Sequence, residues 1–546
     1  MNSLETLKQS FVTFIASHFN ENEAASRMDF SLNTDPQKAD FGDINTNIAL
    51  LLAKSLGKAP RAVAQDIIDS YSHPFLKKIE IAGPGFINFF LTDDAFKSLA
   101  LDLCTQKDGF FKVDNPTTVY NVEFISANPT GPLHIGHGRG GIIGDVLSNV
   151  LHFLGYNTTR EHYINDAGAQ MEKLGNSLKI RCLQEQGKSI EFPEDGYHGE
   201  YLKTLAQECI KEYGNNVTEK DDQFFIDYGY DKMLKQLKNT VSSYNINFDV
   251  WFSERTLHPV KIEAALKTLQ DNGHLYEKEG ATWFTSTTFG DDKDRVLKKA
   301  DGTFTYAAAD AAYILDKAQR GAQTIIIILG QDHHSYPKRL NGIRQALGLD
   351  SVKLDCILYQ LVSIKEDGEL MKLSKRAGRI IELNDIVETV GTDIARFFYL
   401  NRKADAHLDF DIKLALSKTE ENPVYYLQYA YVRTRSVLEK AAEHDVFKNI
   451  SCDDVQYLTA GEWQIIKKIV ELKTVLHSIS TNYQVHSLAY YLLEVAHSFH
   501  NYYHHNRVIE PETVEQSRGR LLLTQLVKEQ FDRCLQLMGL TRPEKM

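Results

Sequence analysis

From about residue 115 to about residue 405, short apolar segments of two periodicities alternate, and this alternation constrains the fold more than any other feature. Val119–Ile125 reads as a strand, Gly141–Leu154 as a helix, Thr158–Ile164 as a strand and Ala167–Leu183 as a helix. Further on come helix Ala308–Ala318, the buried strand Thr324–Leu329, helix Tyr336–Leu347 and strand Cys356–Ile364. Strands joined through helices must cross over and pair in parallel, so the expectation is an α/β, doubly wound parallel (Rossmann-like) sheet. A polar stretch at about 185–254 interrupts the pattern and reads as an insert.

The flanks differ in kind. Residues 1–112 read as an N-terminal α+β domain. Leu4, Leu7, Phe11, Phe14 and Ile15 recur at helical spacing, a second apolar helix is expected from Ile44 to Leu56, and Lys78–Leu91 reads as strand, Gly83-Pro84-Gly85 turn and strand. Breaks at Lys107-Asp108-Gly109 and Asp114-Asn115-Pro116 separate it from a catalytic domain over 113–405. Strand signals stop near Pro423, so 406–546 is expected to be a C-terminal all-α helical bundle.

Composition limits the partners. Lys and Arg number 61 against 73 Asp and Glu, a net charge of −12, which argues against non-specific coating of nucleic acid while leaving room for one basic face. The longest aliphatic run, Ile325–Leu329, is far shorter than the ~20 residues of a membrane helix. The opening residues lack the basic and apolar character of a secretory leader, and the six cysteines lie far apart without a C-x-x-C pair. Reduced thiols in a cytoplasmic protein are expected, rather than disulfides or a zinc site.

The densest chemistry lies in Glu123-Phe-Ile-Ser-Ala-Asn128-Pro-Thr-Gly131-Pro-Leu-His134-Ile-Gly136-His137-Gly138, between the first sheet strand and its helix. In open α/β sheets ligands bind there, outside the carboxyl ends of the strands. Glycines admit a phosphate to the backbone, and a helix N-terminus supplies free N–H groups. His134 and His137, three apart, can both donate to phosphate oxygens. Gly136-x-Gly138-x-x-Gly141 with Glu161 also matches the dinucleotide fingerprint, although a proline-containing loop intervenes after the strand. A second segment, Met371-Lys372-Leu373-Ser374-Lys375-Arg376-Ala-Gly378, sets two lysines around a serine; it suits a polyphosphate, or else is a solvated basic turn.

Glu123 sits in an apolar strand, either as a carboxylate on a solvated face or as a buried anion awaiting a cation. Tyr306 and Asp310, four apart at the start of an alanine-rich helix, share a face; the alternative for Asp310 is helix capping. Paired carboxylates would select a planar, forked guanidinium. The His333-His334 and His504-His505 pairs do not converge as metal ligands, and no metal site is expected. The tyrosines from Tyr425 to Tyr431 read either as core packing or as platforms for unstacked bases.

His134-Ile-Gly-His137 and Lys372-Leu-Ser-Lys375-Arg376 together resemble the two signature motifs of class I aminoacyl-tRNA synthetases, and the whole chain resembles the arginyl-tRNA synthetase family. Glu123, Asn128, Tyr306-x-x-x-Asp310, Gln331-Asp332-His-His334, the Tyr425–Tyr431 segment and the Arg-Pro-Glu-Lys-Met ending carry the arginine-type likeness. Arg376 stands where the class pattern has serine; Lys375 is present and Gly131 occupies the place where many relatives carry a compensating lysine. The resemblance implies formation of arginyl-adenylate from L-arginine and ATP with Mg²⁺, then transfer to tRNA(Arg). No interface signature stands out in the sequence, so a monomer is expected. The resemblance also implies catalysis by His134, His137, Lys372 and Lys375. ATP is expected on these four with Gly136, Gly138, His334 and Ser374, arginine on Glu123, Asn128, Tyr306, Asp310 and Gln331, and tRNA on Tyr425, Gln428 and Tyr429. The N-terminal domain would touch the tRNA elbow and the helical domain the anticodon.

Overall fold

The computed structural model describes residues 2–366, 369–370 and 381–546. At the N-terminus an Asn2–Glu5 capping box starts helix α1 (Ser3–Phe19), whose apolar stripe, Leu7, Phe11 and Ile15, is buried. Strands β1 (Ser31–Leu32), β2 (Ile44–Thr46), β3 (Leu76–Ala82) and β4 (Phe86–Leu91) pair antiparallel in the order β1-β2-β4-β3. Helices α2 (Asn22–Arg27), α3 (Ile48–Leu56), α4 (Pro60–Ser70) and α5 (Asp93–Gln106) complete this unit. The helix expected from Ile44 starts at Ile48 instead, because Ile44 pairs with Phe89 across the sheet.

The central strands are β5 (Val119–Glu123), β6 (Asn157–Ile164) and β7 (Val250–Ser253). Helix α6 (Ile135–Phe153) follows β5, and α7 (Ala169–Glu185), α8 (Glu200–Tyr213) and α9 (Asp222–Ser243) lie between β6 and β7. These last three share a small core around Leu178, Leu205 and Phe225. After β7 come α10 (Val260–Asp271) and a three-stranded antiparallel sheet of β8 (Leu275–Lys278), β9 (Ala281–Phe284) and β10 (Arg295–Lys298). The chain then runs through α11 (Tyr306–Gln319), β11 (Thr324–Gly330), α12 (Tyr336–Ala346) and β12 (Lys353–Tyr359).

Five of these strands form one parallel sheet in the order β12-β11-β5-β6-β7. The order reverses between β5 and β11, which makes the crevice at their carboxyl ends the place for a ligand. Two expectations are corrected. Val250–Ser253, assigned to the insert, is the edge strand of this sheet. The strand expected over Cys356–Ile364 divides, β12 staying in the sheet and β13 (Val362–Glu366) leaving it to pair with β14 (Glu369–Leu370) and β15 (Leu408–Asp411).

Between those last two strands lie α13 (Leu383–Val390) and α14 (Thr392–Leu400), and α15 (Ile412–Leu416) follows them. From Pro423 on, the described residues hold α16 (Pro423–Ala442), α17 (Trp463–Asn482), α18 (His486–His505) and α19 (Val514–Met538) and no strand, but β15 falls inside the 406–546 expected to be all helix, because it pairs with β13. The packing of these helices was not legible in sequence. Trp463 stacks on Phe96 and donates to Asp93 at 2.9 Å, and Lys467 reaches Asp43 at 3.2 Å, so the N-terminal unit rests directly on α17. The same contact brings Cys104 and Cys452, 348 residues apart, into a disulfide, which corrects the expectation of six separate thiols. Spacing along the chain carries no trace of such a pair, because tertiary packing alone creates it.

Arg396 of α14 is the deepest tie between regions. It has no exposed surface and donates to Met538 O at 2.8 Å, Tyr244 O at 2.5 Å and Asp145 Oδ2 at 2.5 Å, joining α14 to α19, α9 and α6. Arg396→Met would leave Asp145 buried without this partner. We expect a loss of about 3–5 kcal/mol in stability, measured by urea unfolding.

Candidate active site

Helix α6 begins six residues earlier than its periodicity suggests, and His134 is its N-cap. The glycines explain both facts. A Cβ at Gly144 would lie 2.2 Å from Phe124 Cγ, and one at Gly138 would lie 2.6 Å from Leu383 and 2.8 Å from Tyr399. Their absence lets the helix seat directly on the end of β5 and against α13 and α14. Gly138 therefore has a packing role here. Gly141 likewise faces Ile125 and Ile246, and Glu161 has no exposed surface and is held by Arg320, Tyr313 and Asn121. Glu161, the acid of that fingerprint, is thus committed elsewhere, so the dinucleotide reading lapses.

The two signature histidines cap the helix reciprocally. His134 Nδ1 accepts from Gly136 N–H at 3.1 Å, and His137 Nδ1 accepts from His134 N–H at 3.1 Å, with ring centres 3.8 Å apart. Burial lowers the basicity of both. The nearby Asp332 partly offsets this for His134, while the His134 charge adds to it for His137, which is pushed down to about 3. An imidazole whose Nδ1 accepts must carry its proton on Nε2. Both rings are thus neutral Nε2–H donors at the positive end of a helix.

The described chain beyond the second signature, Ile381–Leu383, lies against this helix start. Ile135 N–H donates to Ile381 O at 3.4 Å, Leu383 N–H donates to Leu133 O at 2.7 Å, and Glu382 bridges His134. The chain emerging from residues 371–380 is therefore stitched to the first signature. Lys372, Ser374 and Lys375 themselves lie outside the described residues. Across the crevice, the turn after β11 carries Gln331, half-buried, and His334, exposed.

Beside the histidines, carboxylates converge. Glu123 is buried, and it is not the lone anion that was expected. Lys317 Nζ donates to its Oε2 at 2.5 Å and Ser126 to its Oε1 at 2.9 Å. The Lys317 side chain reaches it from α11, two turns beyond Asp310. Asp310 is not a cap, since Thr305 holds the N-cap position. It is half-buried and accepts from Tyr336 Oη at 3.2 Å. Burial raises its carboxyl to about 7, with Tyr336 and Arg339 opposing and the charges of Glu123 and Glu254 adding. Glu254, just after β7, is buried too; burial raises its carboxyl against hydrogen bonding from Tyr163, and its Oε2 has no partner. Tyr306 is 60% exposed at the mouth. Asn128 donates to Gln170 Oε1 at 2.8 Å, a side-chain partner rather than the backbone.

Sequence reasoning missed Glu254 and Lys317. A carboxylate immediately after an apolar strand marks the first. The second continues the spacing of Tyr306 and Asp310 along one helix face.

On α16, Tyr425 is half-buried and Gln428 donates to Asp393 Oδ2 at 2.8 Å, fastening α16 to α14. Tyr429 stacks on His500, 5.7 Å between centres, and its hydroxyl accepts from Arg433. Tyr431 is buried, so the tyrosine run serves partly as core.

Residues 102–404 match the family model of the class I tRNA synthetase (R) catalytic domain, which defines the class of this fold and site. Residues 5–91 match the arginyl-tRNA synthetase N-terminal domain and 427–546 the DALR anticodon binding domain. The chain is 40% identical to the arginine–tRNA ligase of Anoxybacillus flavithermus over 100% of both chains. It is 39% identical to that of Bacillus subtilis, over 94% of this chain and 93% of the relative. It therefore belongs to the arginyl-tRNA synthetases. The structure of the Thermus thermophilus arginyl-tRNA synthetase shares the fold, with a TM-score of 0.74 over 99% of this chain and 100% of that one at 21% identity.

The histidine geometry predicts that nitrogen-15 NMR will show His134 and His137 as Nε2–H tautomers at neutral pH. His137 should stay neutral on acidification until close to pH 3. A protonated His137 at pH 6 would contradict the geometry.

Proposed function

We propose that the crevice between β5 and β11 is where this arginine–tRNA ligase carries out both of its steps. The enzyme joins L-arginine to tRNA(Arg) at the expense of ATP. The arginine carboxylate attacks the α-phosphate to give arginyl-adenylate and pyrophosphate, and the terminal adenosine 2′-hydroxyl of the tRNA then attacks the adenylate, releasing AMP. The nucleophile in each step belongs to a substrate, so the protein positions groups and stabilises charge.

In this reading His134 and His137 donate to the phosphates through Nε2–H, with Gly136 and Gly138 in the first turn of the helix beside them. Lys372 and Lys375 meet the charge of departing pyrophosphate, Ser374 lies between them, and His334 lines the nucleotide side. Among the described residues no group of three His, Cys, Asp or Glu side chains is arranged to hold a metal. We assign Mg²⁺ to the triphosphate oxygens, where it neutralises charge.

The single observation that carries the amino-acid assignment is the pair of buried or half-buried carboxylates, Asp310 and Glu254, which among the described residues make no ion pair with a lysine or arginine, Glu254 having only His258 at 3.5 Å, beside the lysine-paired Glu123. A guanidinium supplies a positive charge together with forked donors. Tyr306 and Gln331 flank it, and Asn128 and Gln331 suit the α-amino and carboxylate groups. We further read residues 1–112 as the elbow-binding domain, 113–405 as catalytic and 406–546 as anticodon-binding. Tyr425, Gln428 and Tyr429 then lie on the tRNA face, with the half-exposed Tyr429–His500 stack as a platform for a base. No described helix is long and apolar enough to cross a membrane. The working state is read as a cytoplasmic monomer, which sedimentation at the mass of one chain would support.

Arginine-dependent ATP–pyrophosphate exchange, with and without tRNA and with lysine and citrulline as competitors, tests the reading. Exchange with arginine alone among the amino acids is expected; lysine-driven exchange would overturn the pocket assignment. His137→Ala or Lys375→Ala should each lower the rate by ~10²–10³, measured by aminoacylation. Asp310→Asn should raise KM for arginine roughly 10- to 100-fold. The guanidinium requires the ionised carboxylate, so below about pH 7 arginine binding should weaken about tenfold per pH unit, and above it the dependence should flatten.

A further inference from the structure

Helix α11 carries Tyr306, Asp310, Tyr313, Lys317 and Arg320 at alternating steps of four and three, which puts all five on one stripe. At its inner end Lys317 has no exposed surface. Its Nζ lies 2.5 Å from Glu123 Oε2, 3.8 Å from Glu161 Oε1 and 4.3 Å from the centre of the Tyr313 ring. Glu161 is already matched by Arg320, which donates through two nitrogens at 2.7 and 2.9 Å. Lys317 is thus the counter-ion of Glu123. A pair this deep adds little stability over an apolar replacement, because desolvation consumes the attraction. What it does alter is the charge that the pocket wall presents.

We propose that Lys317 is a positioning residue of the amino-acid pocket, clamping Glu123 so that the uncompensated charge offered to a bound guanidinium is confined to Asp310 and Glu254. This rests on the assignment of the arginine pocket made above. Asp310 faces Tyr336 and Arg339 of α12, Glu123 of β5, Tyr163 of β6, and Glu254, which has His258 at 3.5 Å. Lys317 faces Glu123, Glu161, its own helix's Tyr313 and, from β12, Cys356. Asp310 feels the charge of Glu123, so whatever neutralises Glu123 sets the pH at which Asp310 becomes able to bind a cation.

A charge cycle on the full-length enzyme tests this. KM and kcat for arginine are measured by aminoacylation from about pH 5 to pH 9 in wild type, E123Q, K317M, E123Q/K317M and K317R, with D310N as the pocket control. E123Q leaves an ammonium without its anion and should move the pH midpoint of arginine binding down by about one pH unit. K317M should move it up by a similar amount, and E123Q/K317M should return it close to wild type. K317R should hold it there. The effects should fall on KM, with kcat at saturating arginine changed only a few-fold. If K317M does not fold, the comparison of E123Q with the charge-neutral double variant still decides. A double-variant profile that coincides with E123Q overturns the proposal. If D310N raises KM while E123Q and the Lys317 variants leave the profile unmoved, the clamp fails and the pocket stands. If D310N leaves KM for arginine unchanged, the pocket assignment fails and the clamp with it.

Discussion

Helix α6 lies so close to the end of β5 that no side chain fits between Gly144 and Phe124, and the rest of the site is built on that approach. It holds the helix N-terminus at the carboxyl edge of the sheet, where strand order reverses. The same approach on the other side, at Gly138, brings α13 and α14 against α6, and with them the chain returning from residues 371–380. Two segments distant in sequence, Leu133–Ile135 and Ile381–Leu383, thereby meet at one helix start. The histidines that cap this helix spend their Nδ1 atoms on backbone N–H groups and keep Nε2–H for the crevice; burial lowers both, His137 to about 3.

The second constraint is electrostatic. Beneath the crevice, Glu123, Glu161 and Asp316 are each matched by a cation, Lys317, Arg320 and Lys261. Among the described residues Asp310 and Glu254 make no ion pair with a lysine or arginine, Glu254 having only His258, and burial raises both. A pocket prepared in this way favours a ligand that arrives with its own positive charge. Neutral citrulline would leave a carboxylate unpaired, and lysine would lack the forked donors. On the proposed pocket assignment, specificity follows from charge left unmatched next to charge that is matched.

Much of this was legible in the chain. The alternation of strands and helices announced the parallel sheet because a doubly wound arrangement needs that order. His134, His137, Asp310 and Tyr306 stood out because spacing and residue type are local properties. Of the two readings open for Glu123, solvated or buried, the structure takes the buried one, but its lysine partner was not legible because it lies 194 residues away. The start of α6 was misplaced for a related reason. Glycines lower helix propensity, and what they gain in return, contact with Phe124, Leu383 and Tyr399, belongs to other elements.

The sequence by itself determined the order of elements, the motif positions and the membership of the arginyl-tRNA synthetases, since these depend on periodicity and residue identity along the chain. Tertiary structure alone decided which charges cancel and which remain. It joined Cys104 to Cys452, seated the N-terminal unit on α17, placed Val250–Ser253 at the edge of the main sheet and divided Cys356–Ile364 between two sheets. The physical reason is that a buried charge or thiol is defined by what lies within a few ångströms of it, and such neighbours come from segments hundreds of residues apart.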